Sequence, residues 1–272
     1  MDEEEKKVAG KLYVISTPIG NPEDITLRAM NLLKLADAVI CEEFKEGAKL
    51  MHHLNLDKEL IEYNEHSDHM DVIDIVMAMN EGKKYALISD CGTPLLADPG
   101  LDLVKNCISQ NINVEVAPGA SSVLTALVRS GFDTKEFIFA GFLGRTDSER
   151  KSKLKKLAKE SRTIILLETP YRLQVFLESA KEVLPNRQAY IGFNLTHAYE
   201  SHSYGTFSEL FSQYKDKRMK AEFVVVFEGS GFDFSKEKDF DQNETKKYKS
   251  SDYHKPRYGS GSDGEKRGRS RY

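Results

Sequence analysis

No apolar run in this chain approaches the roughly 20 residues that a membrane-spanning helix needs, so such a helix is excluded and no membrane partner is expected. Cysteine is scarce. Cys41, Cys91 and Cys107 are odd in number and form no CxxC pair, which argues against a disulfide framework or a zinc site and fits a reducing, cytoplasmic compartment. His52, His53, His66 and His69 show neither HxxxH nor HExxH spacing, so no metal is expected. The charged stretch Met1–Lys7 has no apolar segment behind it, so a secretory signal is not expected either. Two nucleotide signatures are missing from the strand ends as well. The strand-end turn Ile19-Gly20-Asn21 lacks the GxGxxG spacing, and GxxxxGK[ST] occurs nowhere, which disfavours dinucleotide and ATP chemistry.

What is present is a soluble-type composition long enough, at 272 residues, for one large domain or two ordinary ones. The net charge of −4 conceals an asymmetry: residues 245–272 carry nine Lys/Arg against three Asp/Glu. An acidic body with a basic tail points to a polyanionic partner, or to a solvated terminus. Beyond about Asp233 the chain is charged and Gly/Ser-rich, with too little apolar surface to offset chain entropy, and is expected to be disordered.

Short β-like runs alternate with helical patterns in the first half. Strands are expected near 12–17, 38–41, 60–63, 85–89 and 114–117, with helices over 22–35, 49–54, 68–80, 98–110 and 121–130. That order predicts a parallel sheet flanked by helices. The second half predicts strands near 137–143, 163–167, 190–194 and 222–228, and helices over 147–159, 171–183 and 206–214. A boundary is expected at Asp133-Thr134-Lys135, which gives an α/β domain over 11–132, a second α/β domain over 133–232, and a tail over 233–272.

Two Gly-Pro turns stand out. Ser16-Thr17-Pro18-Ile19-Gly20-Asn21 follows one apolar strand, and Ser89-Asp90-Cys91-Gly92-Thr93-Pro94 follows another. Strand-then-turn places backbone N–H groups at the carboxyl edge of a sheet, where open α/β folds bind ligands. Ala117-Pro118-Gly119-Ala120-Ser121-Ser122 is a third such junction, suited either to helix capping or to holding a ligand at a helix start. Glu43 and Lys45 follow the second strand, and Glu65 and His66 the third. In a parallel sheet these ends share one edge, so the four are expected around one cleft.

Together, in this order, the segments resemble the tetrapyrrole-methylase superfamily of S-adenosylmethionine-dependent methyltransferases, and within it the ribosomal RNA branch. The resemblance runs from Lys11 to Gly229, through Thr17-Pro18-Ile19-Gly20-Asn21, Ser89–Pro94 with Asp98-Pro99-Gly100, Pro118–Ser122, Glu168-Thr169-Pro170 and Ala221–Gly229. It implies two α/β domains, one on a parallel and one on a mixed sheet, with S-adenosylmethionine in the cleft between them, usually in a homodimer. It also implies that Asp90, Gly92, Pro94, Leu95, Ser121 and Ser122 hold the cofactor, with Leu167 and Ala221 enclosing its adenosine. Pro18, Gly20 and Asn21 would face the acceptor. The implied reaction is 2'-O-methylation of a cytidine in 16S rRNA near the decoding centre, on free rRNA or the assembled small subunit.

The residues depart from the family pattern at two places. Glu42-Glu43-Phe44-Lys45 stands where Glu-Asp-Thr-Arg is typical, and Asn194-Leu195-Thr196-His197 where Glu-Leu-Thr-Lys is typical. Lys keeps the charge of Arg but loses its bidentate fork. Glu43 or His66 is the expected base and Lys45 the expected alkoxide or phosphate partner. The lysines of 151–159 and the tail are expected on rRNA phosphates. Alternative acceptors are another RNA site or a tetrapyrrole, the latter disfavoured by the missing Gly-x-Gly-x-Gly-Asp turn. A non-catalytic RNA-binding module is the alternative from another class.

Overall fold

The computed structural model describes residues 10–67, 69–217 and 219–231. The expected basic tail lies outside them. Five strands, β1 (Lys11–Ile15), β2 (Ala38–Cys41), β3 (Glu59–Glu62), β4 (Lys84–Ile88) and β5 (Asn113–Ala117), form one sheet in the order β3-β2-β4-β1-β5. All its pairings are parallel. β1, β2 and β4 are buried almost throughout, as expected for strands covered by helices on both faces. One face packs under α3 (His69–Asn80) and α4 (Leu101–Ser109), through Leu12, Val72, Met79 and Leu103. The other packs under α1 (Leu27–Leu35) and α2 (Phe44–His53), through Ile15, Leu33, Val39 and Met51.

Register matters more for the site than strand order. Ile15 lies level with Ile88 on one side and with Ala117 on the other. The three turns that follow therefore leave the sheet side by side. β1 and β4 are neighbours whose connections run to opposite sides, β1 to β2 and β4 to β5, so the switch point of the sheet lies between them, where open α/β sheets bind ligands.

The second sheet comprises β6 (Phe137–Phe142), β7 (Thr163–Glu168), β8 (Gln188–Phe193), β9 (Ser201–Thr206) and β10 (Phe223–Phe227), in the order β6-β7-β10-β8-β9. β6 and β7 are parallel and the rest antiparallel, so the sheet is mixed. Helices α6 (Asp147–Leu157), α7 (Leu173–Val183) and α8 (Phe207–Tyr214) cover one face, through Leu154, Phe176, Phe207 and Phe227. The other face meets α5 (Ser122–Ser130), where Val123, Ala126 and Leu127 pack on Ile165, Tyr190 and Val226. The two sheets fall on either side of Asp133-Thr134-Lys135.

Several expectations changed at their edges. The helix expected over 22–35 is a single 3₁₀ turn at Pro22–Asp24 followed by α1, because Thr26 caps Ala29 and restarts the helix. The helix expected from 98 starts at Leu101, since Gly100 is left-handed at φ 113°. α2 begins five residues before the expected start at Lys49, at Phe44. β9 was not expected. Its Ser-His-Ser-Tyr-Gly-Thr sequence carries no apolar alternation, and its place comes from edge pairing with β8. The lysines of 151–159 do not form one free basic face. Lys151 pairs with Asp147 and Glu182, each at 2.7 Å, and Lys153 donates to the carbonyls of Ala140 (2.6 Å) and Phe142 (2.8 Å). Lys155, Lys156 and Lys159 stay exposed.

Candidate functional site

The three turns are stitched to one another. The Thr17 N–H donates to the Gly92 carbonyl at 2.8 Å, and the Gly92 N–H returns to the Thr17 carbonyl at 3.2 Å. Thr17 Oγ1 donates to the Ser89 carbonyl (3.1 Å), Ser16 Oγ lies 3.1 Å from Thr93 Oγ1, and Thr93 Oγ1 donates to the Ala120 carbonyl (3.1 Å). These hydroxyls fix the turns against each other. Gly92 holds φ 85°, a left-handed conformation that other residues rarely adopt.

The first turn also docks on the second sheet's loops. The Asn21 N–H donates to Thr196 Oγ1 at 2.9 Å. A Cβ on Gly20 would lie 2.6 Å from the Leu195 carbonyl oxygen. Only glycine allows that approach. Backbone strain gathers here too: Leu95, Ala97, Asn194 and Thr196 all have positive φ (71°, 79°, 46° and 65°). Such strain costs of order 1–3 kcal/mol per residue and recurs at ligand sites.

Two cavities open between the halves. The inner one, about 240 Å³, is walled by Gly92, Leu96, Ala97 and Ser122 from the first half and by Phe142, Leu167, Leu195 and Val224 from the second. Three acidic residues line it, Asp98, Glu168 and Glu222. Asp98 accepts from Ser89 Oγ at 2.6 Å, and burial raises its carboxyl above the usual range despite that bond. Glu168 is buried, with one oxygen 3.3 Å from Arg172 Nε. Its Oε1 has no hydrogen-bond partner among the described residues. Burial raises this carboxyl, and Arg172 opposes the rise. Apolar walls around the unmet Glu168 acceptor suit a flat, largely apolar ligand that also carries N–H donors.

The outer cavity, about 640 Å³, is lined by Pro18, Gly20, Glu43, Asp90 and His197, and by Lys49, His52 and His53 of α2. Asp90 accepts the Glu43 N–H at 3.1 Å and so anchors the start of α2. Burial is the first cause raising the Asp90 carboxyl, with Glu43, Glu46 and Asp98 adding to the rise and the Glu43 N–H opposing it.

The expected site residues divide between these places. Gly92, Ser121, Ser122 and Leu167 line the inner cavity, while Asp90 lines the outer one. Pro94 is buried and Leu95 packs into the first sheet's core. The left-handed turn at Leu95 leaves the cavity wall to Leu96 and Ala97. Ala221 belongs to the second core, and its neighbours Glu222 and Phe223 line the cavity instead. Pro18 and Gly20 line the outer cavity. The Asn21 side chain caps the Glu23 N–H at 3.0 Å.

The gathering of Glu43, Lys45, Glu65 and His66 around one cleft does not occur. Of the four, only Glu43 lines either cavity. β3 is the outermost strand, so its end lies beyond β2 and away from the three turns. His66 is exposed beside Glu65 at 3.8 Å, and Lys45 is exposed on α2. Phe142, Glu168, Gly192, Leu195 and Glu222 were not expected on a cavity wall. They come from the second sheet, whose turn toward the first cannot be read from periodicity.

Glu42, just after β2, is half-buried. Burial first, and then Asp98, Asp90, Glu43 and Glu65, push its carboxyl up to about 7. The folded chain thus keeps a proton that the unfolded chain releases near about pH 4.3. Stability from this group is full below that pH and is lost as pH rises toward 7. Glu42→Gln is expected to flatten the fall in Tm between about pH 5 and 8 in thermal melts. An unchanged slope would contradict the assignment.

The sequence pattern of the Tetrapyrrole (Corrin/Porphyrin) Methylases matches residues 11–211. The chain belongs to this methylase family. Ribosomal RNA small subunit methyltransferase I of Bacillus subtilis (strain 168) is 38% identical to it over 225 residues, 83% of this chain and 77% of that protein. The protein of the same name from Thermotoga maritima is 36% identical over 220 residues, 81% of this chain and 99% of that one. Among solved structures, uroporphyrin-III C-methyltransferase from Thermus thermophilus, complexed with S-adenosyl homocysteine, superposes with a TM-score of 0.59 at 18% identity. The match covers 80% of this chain and 97% of that one. The chain is thus a methyltransferase of the ribosomal RNA small subunit methyltransferase I group within the methylase family, and its cofactor is S-adenosylmethionine. No helix among the described residues is long and apolar enough to cross a membrane.

Proposed function

We propose that this methylase modifies the 2'-oxygen of a cytidine ribose in 16S rRNA near the decoding centre, in the cytoplasm, with the inner cavity for cofactor and the outer cavity for the acceptor nucleotide. The observation that carries the reading is the second cavity itself. It adjoins the first, exceeds it in volume, and has Lys49, His52, His53 and His197 on its walls. These imidazoles and Lys49, which pairs with Glu46 at 3.3 Å, share the nucleotide-sized hollow with the acids Glu43, Asp90 and Glu222, a hydrogen-bonding wall that fits a ribose and its neighbours.

When bound, S-adenosylmethionine supplies a methyl already activated on a sulfonium. The protein's task is therefore placement. Gly92, Leu96 and Ser122 would hold one side of the cofactor, and Leu167 and Val224 the other. Asp98 and Glu168 would offer acceptors and negative charge to its cationic groups. Pro18 and Gly20 would form the acceptor wall, with Glu43 at its rim. Well-oriented reactants recover about 7–11 kcal/mol of a bimolecular barrier. The turn-to-turn hydrogen bonds serve that end by removing freedom from the walls.

A second copy of the chain is part of the same proposal. Leu124 and Val128, one turn apart on α5, and Val116 on β5 are exposed apolar residues that such a partner would cover. Light scattering should give a mass of twice the 30.8 kDa chain. A monomer at micromolar concentration would reject the dimer.

The test of the acceptor is transfer of tritiated methyl from S-adenosylmethionine onto assembled small subunits, free 16S rRNA, and a reduced porphyrin. Label is expected in the RNA. Label only in the porphyrin, or none with cofactor binding intact, would reject it. Removing residues 245–272 should also shallow the log–log salt dependence of RNA binding, by about 0.7 for each single-strand phosphate that the tail neutralises. An unchanged slope would remove the tail from RNA binding.

A further inference from the structure

A methyl leaving the inner cavity for an acceptor in the outer one must cross where the two meet. Three residues line both cavities: Ile19, Cys91 and Glu222. Ile19 has no polar atom. Cys91 has its thiol pushed up, first by desolvation and then by the Glu222 carboxylate, and stays protonated at neutral pH. Glu222 alone of the three offers a basic oxygen.

The position of Glu222 is held from both sides. Its carbonyl accepts the Asn194 N–H at 2.8 Å, which ties it to the left-handed residues Asn194 and Thr196. It directly precedes β10, the central strand of the second sheet. Its carboxylate makes no hydrogen bond or ion pair with other described residues, whereas Asp90 and Asp98 are engaged by the Glu43 N–H and by Ser89. Glu43 also carries an ungripped carboxylate, but it lines the outer cavity alone.

We propose that Glu222 is the general base of the transfer, and that Glu43 and His66 are not. This rests on the reading that the acceptor is a ribose hydroxyl in the outer cavity. The hydroxyl proton passes to a Glu222 carboxylate oxygen. The hydroxyl oxygen then donates a lone pair to form the new O–C bond to the methyl carbon. The S–C bond breaks with its electron pair left on sulfur, so the sulfonium ends as a neutral thioether and the carboxylate as a neutral acid. The proton returns to solvent through the open outer cavity.

The experiment compares wild type with Glu222→Gln and Glu222→Asp. It reads single-turnover transfer to small subunits from pH 6 to 9, calorimetric binding of S-adenosylhomocysteine, and thermal melts. General-base assistance is worth about 10²–10⁴-fold. Glu222→Gln should lose that factor and the rising limb of the pH–rate profile, while binding S-adenosylhomocysteine within about threefold of wild type. Glu222→Asp should keep the rising limb at a reduced rate. Transfer by Glu222→Gln at more than a third of the wild-type rate would overturn the assignment, as would a retained rising limb. A loss of cofactor affinity equal to the loss of rate would also overturn it, by making Glu222 a binding residue. Failure of wild type to label small-subunit RNA would instead overturn the acceptor reading, so the two failures are distinguishable.

Discussion

Gly20→Ala is expected to lower methyl transfer to small-subunit RNA by about 100-fold, the scale on which a misplacement of roughly 1 Å acts. The added Cβ would lie 2.6 Å from the Leu195 carbonyl oxygen, 2.7 Å from His197 Cδ2 and 2.8 Å from Thr196 Oγ1. The first of these is backbone and cannot swing aside. The first turn must then lift from the Leu195–His197 loop, breaking the hydrogen bond from the Asn21 N–H to Thr196 Oγ1. Overpacking of this kind costs about 1–3 kcal/mol, so Tm should fall as well. Cofactor affinity should fall much less than the rate, because Gly20 lines only the outer cavity. Calorimetry with S-adenosylhomocysteine beside single-turnover kinetics separates the two effects. Equal losses in both would contradict the separation of the cavities.

Gly92→Val is expected to weaken S-adenosylhomocysteine binding by at least tenfold. Two costs add. Gly92 sits at φ 85°, where an L-residue loses about 1–2 kcal/mol. A Cβ there would also lie 3.1 Å from Ile19 Cγ2, against a side chain shared by both cavities. Relief of either cost moves the Thr17–Gly92 hydrogen-bond pair that joins the first two turns. Gly131 is the control. It has a similar φ of 75°, yet a Cβ there meets nothing within 4 Å. Gly131→Ala should lower Tm through backbone strain while leaving cofactor affinity unchanged. Comparable weakening of binding in both variants would show that global destabilisation, not the cavity wall, explains the Gly92 result.

These predictions rest on features of unequal legibility. The parallel sheet was readable because Leu12–Ile15, Ala38–Cys41 and Tyr85–Ile88 are apolar runs separated by helix-period segments and turn residues. The three turns were readable because Gly and Pro mark chain reversals at strand ends. The register that sets them level, Ile15 with Ile88 and Ala117, is not written in any one of them. Leu95 shows the limit of motif reasoning. It belongs to the matched segment, yet its left-handed backbone turns it toward the core and leaves Leu96 on the wall. Shared sheet edge also proved too coarse a guide to His66, because β3 is outermost. Glu222 was visible only as the charged first residue of the strand expected over 222–228, within the matched segment Ala221–Gly229. Its place between two cavities comes from docking the second sheet against the first through α5, which depends on contacts far apart in sequence.

The central claim is that the acceptor atom is a ribose 2'-oxygen on small-subunit RNA. The most direct measurement is nuclease digestion of RNA labelled by this enzyme, followed by mass spectrometry of the nucleosides. The account predicts that the methyl appears on the ribose of a single cytidine, in 16S rRNA near the decoding centre. A methyl on a nucleobase, or on a ribose outside 16S rRNA, would contradict it.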